Sequence, residues 1–256
     1  MTSAFVLACG LQLFYLSSGT GEPVLFIHGN TGSSKWFSRV MDLPGYATYA
    51  LDMPNFGRSG EMPGEVDLHA YADFVKAFID KLELKSPVIV AHSLGGAVAQ
   101  SLALRYPNSV RALVLVDSAS PTGLLTPRER YPFIEMMRKD KTILSKAFSA
   151  VAPTLKDKAF FDTLVDDATL MAEKAWVGNA EALSRFDVSE KTAGFKKPVL
   201  VLWGMGDYLV TREMAEATAK AYPAATFMAL EGVGHSVIAE DPERFSAILK
   251  EFIDSL

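Results

Sequence analysis

Ser93, Asp207 and His235 lie far apart in the chain and are of the types that together turn a hydroxyl into a nucleophile. A serine hydroxyl attacks a carbonyl only when it is exposed, aligned and given a base. Histidine suits that task because its unperturbed pKa lies nearest neutrality. A carboxylate then holds the imidazole in one tautomer and stabilises its protonated form. Ser93 stands in Ala91-His92-Ser93-Leu94-Gly95, between an apolar β-branched run starting at Pro87 and a stretch of small and apolar residues at helical spacing through Leu104. So few residues reverse the chain there that the serine occupies a tight strand-to-helix turn, which the small Ala91 and Gly95 permit. Such a turn leaves the Leu94 N–H at a helix start, free to bond an oxyanion. Taken alone, the same serine also reads as a helix N-cap, and only its context separates the two readings.

That context is an alternation of strands and helices. Residues 5–8 and 11–16 form a hairpin about Cys9-Gly10, and 23–27 are an apolar strand ending in His28-Gly29-Asn30-Thr31-Gly32. A helix is expected over 34–43, where Trp36, Phe37, Val40 and Met41 recur at helical spacing. A strand at 46–51 leads to Asp52-Met53-Pro54-Asn55-Phe56-Gly57-Arg58-Ser59, and Asp67 is the N-cap candidate for an amphipathic helix. Strands are expected again at 112–116, ending at Asp117, then at 198–203 and 226–230. Apolar strands alternating with amphipathic helices predict a mostly parallel sheet covered on both faces, and ligands in such sheets bind at the carboxyl ends of the strands. The rhythm breaks between 121 and 195, where only helical patterns occur, at 131–137, 143–151, 158–164 and 168–176. This insertion, balanced in charge and rich in Met and Phe, suits a lid over an apolar pocket. Phe133, Met137, Phe148 and Trp176 are its candidate lining residues, although most lid aromatics pack the lid onto the body.

Composition narrows the classes. With 49% apolar and 21% charged residues the chain has ample material for a soluble core. A net charge of −5 without a basic run argues against nucleic-acid binding. Cys9, the single cysteine, excludes an internal disulfide framework, and four scattered histidines suggest no metal. No Lys or Arg precedes the apolar start and Gln12 interrupts it, so it reads as strand rather than signal peptide. A cytoplasmic protein is expected, with no membrane partner and no cofactor, monomeric or a small homo-oligomer.

In these motifs and their order the chain resembles the α/β-hydrolase fold over nearly its whole length: His28-Gly29, the 52–59 loop, the turn at Ser93, Trp203-Gly204-Met205-Gly206-Asp207, and Gly234-His235 followed by Glu240-Asp241-Pro242. The resemblance implies an eight-stranded, mostly parallel sheet with helices on both faces. The core would take residues 1–120 and 196–256, with a helical cap over 121–195 inserted after the sixth strand. It implies Ser93 as nucleophile, His235 as general base and acid, and Asp207 as the orienting acid. The amides of Leu94 and Asn30 would form the oxyanion hole, and His28 and Gly29 would line the substrate site. Asp117 is a rival for the acid, which the Gly-Met-Gly-Asp turn disfavours. Asp52 is expected to brace the loops around the serine.

Departures from subfamily patterns shape the expected substrate. Asn30 resembles the halide-holding asparagine of haloalkane dehalogenases, but those enzymes need an aspartate where Ser93 stands. Carbon-carbon bond hydrolases often carry Trp after the catalytic histidine and a Gly-Pro-Gly loop, where this chain has Ser236 and Thr31-Gly32-Ser33. The expectation is a serine hydrolase of small to medium carboxylic esters, lactones or thioesters. A carbon-carbon bond hydrolase, a cofactor-free perhydrolase or a small-molecule receptor on the same fold are the alternatives.

Overall fold

Continuous apolar runs become the buried middle of one sheet. A computed structural model describes residues 1–256 and places β3 (Glu22–Ile27), β5 (Val88–His92), β6 (Ala112–Val116) and β7 (Val199–Gly204) at its centre. Every residue of β5, β6 and β7 is buried, which only strands covered on both faces achieve, hence runs without polar alternation. β1 (Thr2–Ala8), β2 (Leu11–Gly19), β4 (Tyr46–Leu51) and β8 (Ala225–Leu230) complete eight strands in the order β1-β2-β4-β3-β5-β6-β7-β8. β2 pairs antiparallel with both neighbours and all other pairs are parallel. Ala8 faces Leu11 across the hairpin, and Cys9 and Gly10 take positive φ of 48° and 77°, as a two-residue turn matched to strand twist demands.

Side-chain caps set several of the helix starts. Asp67 accepts from the Ala70 amide at the head of α1 (Leu68–Lys81). α2 (Leu94–Arg105) follows Ser93 directly. Four helices then separate β6 from β7, namely α3 (Tyr131–Lys139), α4 (Lys141–Val151), α5 (Lys158–Ala168) and α6 (Glu173–Arg185). Leu144, Phe148, Leu164 and Trp176 of these helices join the same apolar cluster as the sheet, so the insertion sits on the core rather than beside it. α7 (Arg212–Ala221), the short α8 (Val237–Glu240) and α9 (Pro242–Asp254) follow β7 and β8. No helix is long and apolar enough to cross a membrane.

Two expected helices are corrected. Residues 34–43 give one 3-10 turn, Ser34–Phe37. Asp52 Oδ1 draws the Ser34 amide to 2.6 Å and Thr48 Oγ1 draws the Met41 carbonyl to 2.7 Å, so Trp36, Phe37, Val40 and Met41 are buried in a compact loop instead. The helix expected over 168–176 is broken, α5 ending at Ala168 and α6 starting at Glu173. Between them the Ala172 amide donates to the Asn55 carbonyl at 2.8 Å, pulling the chain out of helical register.

Candidate active site

The carboxyl ends of β3, β5, β7 and β8 bring the loops at His28, Ser93, Asp207 and His235 to one edge of the sheet. Ser93 has φ 54° and ψ −120°, a conformation that costs a non-glycine residue about 1–3 kcal/mol and persists only when its surroundings impose it. Here they do. The Ser93 amide donates to Val116 O at 3.0 Å, and Ser93 O accepts from the Gly96 and Ala119 amides at 2.9 and 3.1 Å. Gly95 is required, because a Cβ there would lie 2.4 Å from the His28 carbonyl oxygen. On Gly29 a Cβ would lie 2.9 Å from both His92 Nδ1 and Ser93 Cβ, so the loop after β3 can approach the serine only as glycine.

An unbroken hydrogen-bonded chain joins the three distant residues. His235 Nε2 lies 2.9 Å from Ser93 Oγ, and His235 Nδ1 lies 2.7 Å from Asp207 Oδ2. With Nδ1–H donating to the carboxyl, Nε2 is left to accept the serine proton. The other oxygen of Asp207 accepts from the Leu209 and Val210 amides at 2.7 and 3.1 Å, which fixes the carboxyl plane. Burial alone would push the His235 ring down, but its bond to Asp207 and the charges of Asp207 and Glu240 outweigh it and raise its pKa above the ordinary 6.5. Asp117 lies outside this chain. Its Oδ1 accepts from the Gly204 amide at 2.7 Å, its Oδ2 has no partner, and burial pushes its carboxyl up to about 8.

The amides expected to bond the oxyanion follow Ser93 and Gly29 directly in the chain. Leu94 opens α2 with no side-chain cap, and the Asn30 amide makes no backbone hydrogen bond. Both are donors left over by the fold. Asp52 ties the two neighbouring loops together, accepting from the Ser34 and Arg58 amides at 2.6 and 2.9 Å. His28 is buried and does not line the cavity. It accepts from the Met53 amide at Nε2 and donates through Nδ1 to the Gly29 carbonyl, while burial pushes its pKa down. Its part is to hold the loop that carries Gly29 and Asn30.

A cavity of about 510 Å³ opens over Ser93 and His235. Of the candidate lining residues Gly29, Phe133, Met137 and Phe148 border it, together with Asn30, Ile134 and Leu144. Trp176 does not line it and is corrected to a core residue. Its indole is 2% exposed and donates to the Met171 carbonyl at 3.3 Å, because the helix break moves Trp176 into the first turn of α6, facing the body. Glu129 and Arg130, adjacent and opposite in charge, line the cavity at exposed positions with Tyr208. Sequence reasoning missed Tyr208 and these two charges. Nor does the sequence signal the part of His92, whose Nε2 meets the His235 carbonyl oxygen at 2.7 Å, since a contact to a distant main-chain atom leaves no pattern.

A mostly parallel eight-stranded sheet carrying a Ser-His-Asp chain at its carboxyl edge is the arrangement of the α/β-hydrolase class. Residues 22–242 match the α/β-hydrolase fold family, and the chain belongs to it. At 29% identity over 96% of both chains it is similar to the AB hydrolase superfamily protein YisY of Bacillus subtilis. It is 27% identical to Lipase 1 of Psychrobacter immobilis, over 93% of this chain and 79% of the relative. Among solved structures it resembles an esterase from Exiguobacterium antarcticum, with a TM-score of 0.88 at 20% identity over 98% of each chain. An enol-lactonase from Burkholderia xenovorans gives a TM-score of 0.88 at 17% identity, over 98% of this chain and 100% of the other. These two likenesses are of fold.

Proposed function

We propose that the protein is a serine hydrolase that cleaves carboxylic esters of small to medium size, lactones and thioesters included, through an acyl-enzyme. The observation that carries this reading is the chain from Ser93 Oγ through His235 to Asp207 at the base of a largely apolar cavity. Ser93 Oγ attacks the ester carbonyl as His235 Nε2 takes its proton, and Asp207 stabilises the imidazolium that forms. The Leu94 and Asn30 amides bond the oxygen as it becomes an anion, where fixed donors act most strongly. His235 then returns the proton to the leaving alcohol, and water repeats the sequence to free the acid. Ile134, Met137, Leu144 and Phe148 give the acyl or alkyl part an apolar bed.

Turnover of p-nitrophenyl esters of increasing acyl length, together with fluorophosphonate labelling, tests this. Ser93→Ala should abolish labelling and lower kcat by about a million-fold, and His235→Ala should do nearly the same. A wild-type chain that is labelled slowly and turns over each ester barely once would instead be a receptor on the same fold. Full activity in the Ser93→Ala variant would overturn the proposal.

A further inference from the structure

A chain of buried side-chain hydrogen bonds crosses the seam between the helical insertion and the core and ends on Asn30. The Met62 amide donates to Asn55 Oδ1 at 3.0 Å, and Asn55 Nδ2 donates to the Tyr71 hydroxyl at 2.8 Å. Tyr71 donates to Asn179 Oδ1 at 3.1 Å, and Asn179 Nδ2 donates to Asn30 Oδ1 at 2.8 Å. The Thr31 amide reaches the same Asn30 oxygen at 3.1 Å. Asn55, Tyr71 and Asn179 are at most 1% exposed, so bulk solvent reaches none of these groups and each unmade bond would carry its desolvation cost.

The order of donors in this chain is determined. Both its ends are main-chain N–H groups, which can only donate. The Met62 amide requires an oxygen from Asn55, which turns the Asn55 NH2 to Tyr71 and leaves the tyrosine proton for Asn179 Oδ1. The Asn179 NH2 then faces Asn30, whose oxygen the Thr31 amide also demands. Flipping any one amide sets donor against donor or acceptor against acceptor. Burial pushes the Tyr71 phenol up, so its proton stays in place.

We propose that Asn179 is a positioning residue for acyl transfer: by gripping the Asn30 side chain it fixes the loop whose main-chain amide holds the oxyanion, so that seating of α6 and oxyanion stabilisation are one event. The inference rests on the serine-hydrolase reading above, in which the Asn30 amide is an oxyanion donor. Asn179 lies in the insertion, 149 positions from Asn30, and it does not line the cavity. Its effect therefore passes through Asn30 rather than through contact with substrate. Asp167 of α5 holds the next part of that loop, accepting from Ser33 Oγ at 2.8 Å and from Arg58 at 3.2 and 3.3 Å. The insertion thus grips the loop at two places, and only the Asn179 contact lands on Asn30.

The test compares Asn179→Leu, Asn179→Asp and Tyr71→Phe with the wild-type chain. Asp at this position keeps the size and accepts from Tyr71 but offers no N–H to Asn30. Three quantities are read: kcat and KM on a p-nitrophenyl ester, inhibition by an alkyl trifluoromethyl ketone, which Ser93 converts into an oxyanion adduct, and inhibition by the matching methyl ketone, which binds as a ground-state analogue. Both Asn179 variants should lose about ten- to a hundred-fold in kcat/KM, less than the hundred- to thousand-fold expected when an oxyanion donor is removed outright. Trifluoromethyl ketone affinity should fall by the same factor while KM and methyl ketone affinity hold within about two-fold. Tyr71→Phe should move the same quantities in the same direction by less. Unchanged kcat/KM in Asn179→Asp overturns the proposal, as does a loss shared equally by the two ketones, which would report altered pocket shape. If the leucine variant does not fold, the aspartate and phenylalanine variants decide. A wild-type chain inert to ester and to fluorophosphonate removes the hydrolase reading itself, a result obtained before any variant is made.

Discussion

His92 Nε2 lies 2.7 Å from the carbonyl oxygen of His235, so the residue before the candidate nucleophile holds the backbone of the candidate base. A carbonyl only accepts, hence Nε2 carries the proton. Burial, with the nearby His235 ring, pushes the His92 pKa down to about 3, and the ring stays a neutral donor across the working pH range. Trp36 stacks on it at 5.9 Å.

Replacing His92 by Phe keeps a ring against Trp36 and leaves the His235 carbonyl buried without its donor. A buried acceptor stripped of its partner costs about 1–3 kcal/mol, which in a chain of this size lowers Tm by roughly 2–4 °C for each kcal/mol. Glu240 Oε1 still ties the Gly234 and Ser236 amides at 3.0 and 3.1 Å, so the loop should loosen rather than detach. We expect kcat to fall by about ten-fold with Tm lowered, since small losses of alignment in a general base are amplified in rate. Wild-type kcat in this variant would show that the bond does not align His235.

In the proposed reaction the raised pKa of His235 sets the acid limb of the pH profile. The ring must be neutral to take the serine proton, so activity is lost as pH falls through its folded-state pKa. That pKa is raised because the Asp207 bond and the surrounding carboxyl charges outweigh burial. The inflection in kcat/KM should therefore lie above 6.5, the ordinary value for the side chain. Asp207→Asn removes the main opposing influence and should move the inflection down while lowering kcat by about ten-thousand-fold through the wrong tautomer. An inflection in the wild-type profile at or below 6.5 would contradict this account.

What the chain disclosed in advance divides along a physical line. Strands buried on both faces must be apolar, so the run from Pro87 and those at 112–116 and 198–203 were legible to within a residue or two of β5, β6 and β7, and the turn at Ser93 could be read from its small neighbours because sterics leave few alternatives. The loop at 34–43 shows the opposite case: an apolar stripe at helical spacing records burial, and Asp52 and Thr48 from elsewhere decide its backbone. Trp176 was misplaced for a related reason, since the break at 169–172 depends on the Asn55 carbonyl and carries no Gly or Pro. His92 and Asn179 meet partners 143 and 149 positions away. A hydrogen bond over such separations leaves no periodicity for a single sequence to show.

Asp117 separates a nearby carboxyl from an engaged one. Both Asp117 and Asp207 follow strands of the same edge and both are buried, yet only Asp207 reaches the His235 ring. The Asp117 carboxyl ionises at 3.8 in the unfolded chain and at about 8 when folded, because burial opposes its charge. Between these values the folded state binds the extra proton. Its contribution to stability is complete below pH 3.8 and is lost as pH rises through about 8. Asp117→Asn keeps an oxygen for the Gly204 amide and has no charge to bury. The Tm difference should move in the variant's favour as pH rises toward about 8 and level off above it, where the variant should match or exceed wild type. It should retain kcat within about ten-fold, against the ten-thousand-fold loss in Asp207→Asn. Thermal melts of both chains from pH 5 to about 9 check the stability arm, and ester turnover checks the other. If removing Asp117 costs as much activity as removing Asp207, the acid serving His235 is shared between two strands, and the hydrogen bond at Nδ1 does not identify it.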